Sequence, residues 1–217
     1  MAEVIMILGS SGSGKSASLR NVPAEKISVI SITGKRLPFR SKIVPYVTDS
    51  YQMIEKMVTS ASADIIVLDD TQYLMANEFM RRAFETGFQK FTDIGASFFN
   101  LIMMLKNLPA EKTVYLLHHI EENDAGKQKA KTIGKMLDDK ITLEGLFTTV
   151  LFTVVSEGNF FFQVKTNGLN TAKTPLGMFD TDKIPNDLWE FDKIYRAYYE
   201  MPEPRDEKVP AKQEGAK

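Results

Sequence analysis

Eight consecutive residues, Gly9-Ser10-Ser11-Gly12-Ser13-Gly14-Lys15-Ser16, have the types and the spacing to hold a polyphosphate. They fit the pattern G-x-x-x-x-G-K-[ST]. The glycines let successive backbone N–H groups turn inward around phosphate oxygens, and a helix beginning behind them favours negative charge at its N-terminus. Lys15 has the reach to meet the β- and γ-phosphates of a nucleoside triphosphate, and the Ser16 hydroxyl can help to hold Mg²⁺. With Ala17 in the first turn that follows, residues 9–17 form the expected cradle. The flanks suit it: Val4-Ile5-Met6-Ile7-Leu8 reads as a buried strand, and residues 17–20 can continue as a helix.

A second group lies in Ile65-Ile66-Val67-Leu68-Asp69-Asp70. Four apolar residues ending in an acid read as a buried parallel strand that delivers a carboxylate to the sheet's C-terminal edge. Asp69 is the expected partner of Mg²⁺ or its waters. Asp69 and Asp70 also read as capping acids ahead of Thr71. The chain's two histidines, His118-His119, close another apolar run, residues 113–117. Adjacent residues on a strand point to opposite faces, so a metal pair is not expected. One of them, His119 in this reading, is placed to approach a γ-phosphate or its attacking water; a structural histidine at a strand end is the competing account.

The elements that must position these groups follow from pattern. A chain of 217 residues has room for one α/β domain with a substantial core, expected over residues 1–200, with a Pro-, Glu- and Lys-rich tail from 201 to 217 expected to be disordered. Its net charge of −1 gives no general affinity for nucleic acid, so any such contact must be local. The absence of cysteine excludes disulfides, thiolate metal sites and cysteine nucleophiles. No apolar stretch is long enough to span a membrane, and the first strand starts too early to leave room for a signal peptide, so a cytoplasmic protein is expected. Residues 27–32 read as a second strand, followed by a basic loop over 34–42. Residues 50–58 read as an amphipathic helix capped by Asp49 or Ser50. Residues 77–108 are helical in pattern, with breaks expected at Gly87 and Gly95 and an end at Pro109. The Phe and Met residues there recur at helical spacing, which favours core over stacking platforms for bases. Residues 126–135 carry Lys127, Lys129, Lys131 and Lys135 with no acid among them. They suit either a solvated loop or a flexible contact to a phosphodiester backbone. Two β-rich runs around Glu157-Gly158 read as an antiparallel hairpin, and residues 188–199 as a terminal helix.

Taken in order, GSSGSGKS, IIVLDD, VYLLHH, a basic GK-containing loop, the VLFTVV/FFFQVK hairpin and the turn KTNGLNTAKTP are similar to the small phage-type RecA-like P-loop ATPases, which occur in phage recombination modules beside single-strand annealing functions. The resemblance covers most of residues 1–200. It implies a mostly parallel central sheet flanked by helices with a C-terminal antiparallel hairpin, and Mg²⁺-dependent ATP hydrolysis at the subunit interfaces of a homo-oligomeric ring or filament. It further implies binding and annealing of single-stranded DNA in the host cytoplasm, with a single-strand-binding protein as a further partner. On the same basis the lysines of 126–135 become the DNA contacts, and Lys165 or Lys173 would reach a neighbour's nucleotide. The chain departs from the pattern after its second strand. RecA-like enzymes carry a glutamate there to polarise the attacking water, and here Thr33-Gly34-Lys35-Arg36 follows, which leaves Asp70 as the nearest candidate for that role. A non-catalytic nucleotide switch or loader for a replication protein is the alternative, with a small-molecule or nucleotide kinase behind it.

Overall fold

A computed structural model describes residues 1–134 and 136–206. In chain order its elements are β1 (Glu3–Gly9), a 3-10 turn (Ser16–Asn21), β2 (Ile27–Ser31), β3 (Tyr46–Val47), α1 (Tyr51–Ser60), β4 (Ile65–Asp69), α2 (Gln72–Arg81), α3 (Gln89–Lys106), β5 (Thr113–Glu122), β6 (Gln128–Ala130), β7 (Thr149–Ser156), β8 (Asn159–Gln163), β9 (Lys183–Pro185) and α4 (Leu188–Tyr198).

The strands form one sheet in the order β3-β2-β4-β5-β1-β7-β8-β9, with β6 paired to the outer part of β5. From β3 to β7 the pairing is parallel, and β8 and β9 add antiparallel edges. The architecture is thus α/β with a mostly parallel central sheet and a C-terminal hairpin. β1 and β4 are nearly continuous apolar runs because both of their faces are covered. Val4, Met6 and Leu8 point into a layer with Ile54 of α1, Leu74 of α2 and Phe98 of α3. Ile5 and Ile7 point into the opposite layer, with Leu19 of the 3-10 turn and Phe191 of α4.

Several elements differ from expectation. The segment behind the glycine-rich loop is a 3-10 turn of six residues rather than an α-helix. The long helical pattern divides into α2 and α3 around a turn in which Gly87 takes φ +86, whereas Gly95 is buried within α3 without a break. Ser50 caps α1, accepting from the Met53 amide at 3.4 Å, while Asp49 accepts from Arg81 at 2.6 Å. Part of the basic segment is strand: β5 runs on to Glu122 and pairs with β6. The hairpin turns through Glu157 (φ +51) and Gly158 (φ +76), the left-handed pair that a two-residue turn between twisted strands requires.

The tail expected to be disordered from Met201 onward is bonded as far as Asp206. Arg205 forks onto buried Asp64 at 2.7 and 2.9 Å, Lys26 donates to the Pro204 carbonyl at 2.8 Å, and Arg196 donates to that of Pro202 at 3.0 Å. The remainder of that stretch, residues 207–217, lies outside the described residues. Among the described residues no helix is long and apolar enough to cross a membrane.

Candidate functional site

β1 and β4 both end at the C-terminal edge of the sheet, and β5 runs between them, so Gly9, Asp69 and His119 arrive together. Gly9 lies opposite His119 in the β1–β5 register. The loop after Gly9 is tightly seated. A Cβ on Gly9 would lie 1.9 Å from Thr153 Oγ1 of β7 and 2.4 Å from Ser13 Oγ, two hydroxyls that bond each other at 2.5 Å. Gly14 takes φ +101, and a Cβ there would meet the Phe160 ring of β8 at 2.7 Å. Backbone conformation and neighbours both require glycine at this second position.

Lys15 is buried and donates from Nζ to the carbonyls of Gly9 (2.8 Å) and Ser10 (2.9 Å), folding over the loop. Desolvation pulls its pKa down to about 8, against the opposing charges of Asp70 and Asp69. The Ser16 hydroxyl donates to Asp69, lying 2.9 and 3.0 Å from its two oxygens. Burial, helped by the charge of Asp70, pushes Asp69 up to about 6. A hydroxyl facing a carboxylate is a pair of hard oxygen donors. Mg²⁺ takes few protein ligands beside substrate phosphates, and Ser16 with Asp69 fits it. Among the described residues no group of three or more His, Cys, Asp or Glu side chains could hold a metal, so a larger protein cage is not built here.

Asp70 leaves the strand with φ +65. Its carboxylate accepts from Thr33 Oγ1 (2.9 Å), Lys35 Nζ (3.1 Å) and His119 Nε2 (3.1 Å). Burial opposes its charge, but the hydrogen bonds from His119, Lys35 and Thr33 outweigh that and hold the acid well below the usual carboxylate range. Tyr73 braces the group, edge-on to His119 with centroids 5.7 Å apart and 5.1 Å below the Lys35 ammonium. His118 points the other way and is fully buried. Its Nε2 lies 2.8 Å from the Lys131 carbonyl, which can only accept, so Nε2 carries the proton and Nδ1 accepts from Thr71 Oγ1 at 2.9 Å. Burial pushes it down to about 4. Of the two histidines, His119 belongs to the site and His118 to the core.

These groups surround a cavity of about 430 Å³, reached also by Ser11, Gly12, Ala17, Arg36, Pro38 and Phe160. A larger hollow, about 510 Å³, lies elsewhere, between the β5–β6 hairpin and residues 168–171. It mixes Glu121 and Glu122 with Lys127 and Lys129, and its charges do not converge on one sign. Lys129 pairs with Glu121 at 3.2 Å, and Lys127 and Lys131 are exposed. Lys135 lies outside the described residues. Neither Lys165 nor Lys173 lines the cavity around the loop. Lys165 donates to the Asp180 carbonyl at 3.2 Å, and the Lys173 backbone bridges to Val150.

Sequence reading missed Thr33, Lys35, Thr153 and Phe160 as parts of the site. The signal for the first two was available: residues just after a parallel strand's C-terminus lie on the same edge as the loop after β1. Thr153 and Phe160 required the register of β7 against β1. No protein-family model matches the chain, and no curated protein matches it.

Proposed function

We propose that the chain binds ATP with Mg²⁺ and hydrolyses it as a RecA-like P-loop ATPase, working on single-stranded DNA in recombination as a homo-oligomer. One observation carries the nucleotide part: Lys15, the Ser16–Asp69 pair and the His119–Asp70 pair converge on one cavity at the C-terminal edge of a parallel sheet. That is the edge where open α/β sheets take their ligands. Lys15 exchanges two carbonyls for phosphate oxygens and stabilises charge developing on the β- and γ-phosphates. Ser16 and Asp69 would hold the metal, which when bound neutralises phosphate charge. Water attacks the γ-phosphorus in line, the bond to the bridging oxygen breaks, and its electron pair leaves with ADP. Asp70, steadied by His119, is the carboxylate that orients that water.

The DNA part draws support from the resemblance and from β5, which carries His119 and continues directly into the lysine-bearing hairpin. A strand of DNA on that hairpin would bear on the site through a single β-strand. A non-catalytic switch is favoured by a different observation: three donors already occupy Asp70, and Thr33-Gly34-Lys35 stands where a glutamate would assist.

Steady-state ATPase assays with and without single-stranded DNA test the reading. Turnover that DNA stimulates, and that Lys15→Ala lowers roughly 100-fold or more, is expected. Tight ATP binding with no turnover would favour the switch, phosphoryl transfer to a nucleotide acceptor would favour a kinase, and indifference to DNA would remove the recombination role.

A further inference from the structure

The basic loop after β2 has no part in the mechanism above, yet it reaches the same cavity. Ser31, the last residue of β2, is in register with Asp69, so the chain leaves β2 level with the two acids. The Gly34 amide donates to Ser31 Oγ at 3.1 Å and Gly34 takes φ +67, a turn that sends Lys35 back over the sheet edge. Lys35 thus lines the same cavity as Lys15 and Asp70, and its ammonium bonds Asp70 at 3.1 Å.

We propose that Lys35 is a cation supplied in cis to the terminal phosphate: when a nucleoside triphosphate fills the cavity, its ammonium passes from Asp70 to the γ-phosphate. This rests on the ATPase reading and adds a residue to it. Three features carry it. The Lys35 side chain is 62% exposed, against 10% for Asp70, so the cation can move and its carboxylate partner cannot. Among the described residues its ammonium meets only Asp70, which lines the cavity with it, and the face of Tyr73. A terminal phosphate carries more charge than one carboxylate and offers several strong acceptors, so a mobile lysine beside it exchanges partners. The exchange takes one of three donors away from Asp70, leaving a carboxylate oxygen to receive a hydrogen bond from water. Lys35 thereby occupies in this chain the role expected of a lysine from a neighbour.

A lysine that only neutralises Asp70 would be indifferent to the number of phosphates on the ligand, and this separates the two accounts. The full-length protein, as wild type, Lys35→Met and Lys35→Arg, is titrated with ADP and with the non-hydrolysable analogue AMP-PNP in Mg²⁺, and kcat is measured with ATP. For Lys35→Met, AMP-PNP binding should weaken by about tenfold or more while ADP binding stays within about twofold, and kcat should fall by at least about tenfold; Lys35→Arg should restore part of both. Equal weakening of both nucleotides, no change in either, or a rise in kcat overturns the inference while leaving the ATPase reading intact. A wild type that binds neither nucleotide overturns both.

Discussion

Between Asp69 and Asp70 the backbone turns out of β4, and two neighbouring carboxylates pass into opposite environments. Asp69 stays beside one serine hydroxyl and is pushed up to about 6, whereas Asp70 collects three donors and is held low. The sequence makes the arrival of Asp69 legible, because an apolar run ending in an acid downstream of such a loop favours a strand that delivers a carboxylate over a pair of capping acids. The environment of Asp70 was not legible, since Thr33 and Lys35 reach it from a different strand. The histidines show the same division. Strand alternation separates them, but only the packed structure shows that His118 is fully buried, and that has a measurable consequence. Its folded pKa, about 4, lies below the ordinary value of 6.5, so the unfolded chain binds more protons between those values and stability rises with pH across the window. The contribution is complete at pH 7, is lost as the pH falls below about 6.5, and amounts to about 3 kcal/mol by pH 4. Urea unfolding of wild type and His118→Gln at pH 7, 5.5 and 4 should show that extra acid sensitivity in the wild type alone.

Strong apolar period gave the buried strands and α1, α3 and α4, while the elements without such a run had no signal of their own. β3, β6 and β9 are two or three residues long and exist because a longer strand offers them a ladder. The turn between α2 and α3 is a further case. Gly87 marks it, but its lock is Lys90, on the first turn of α3. Lys90 is 8% exposed, donates to the carbonyl of Glu85 at 2.7 Å and to that of Arg82 at 3.3 Å, and sits over the rings of Phe79 and Phe91. Carbonyls past the end of α2 are thus satisfied by a lysine on α3. Lys90→Met preserves the shape and removes the donor, and it should destabilise the protein by about 1–3 kcal/mol in chemical denaturation. Because no residue of the turn lines the cavity, nucleotide affinity should not change.

Across the whole molecule, chemistry and anchorage occupy opposite edges of the sheet. The loop, Asp69 and His119 gather where the parallel strands end. At the edge where they begin, Asp64 accepts from Arg205, and Arg196 ties Asp192, Thr113 and the Glu111 carbonyl together. Composition alone assigned the tail to disorder, because charge and proline are what pattern registers there. A single buried acid 141 positions away, visible only in the fold, holds Arg205 in place. A chain ending at Met201, or an Arg205→Ala variant, should melt at a lower temperature than the full chain, and its nucleotide titration should be unaltered. The same arrangement has a practical consequence. β1 begins at Glu3, in register with Thr113 and thus beside the Asp64–Arg205 pair, so both ends of the described chain leave from the side away from the cavity. A label placed on Met1 or on Asp206 would therefore sit on the side of the sheet away from the cavity and leave the cavity face clear.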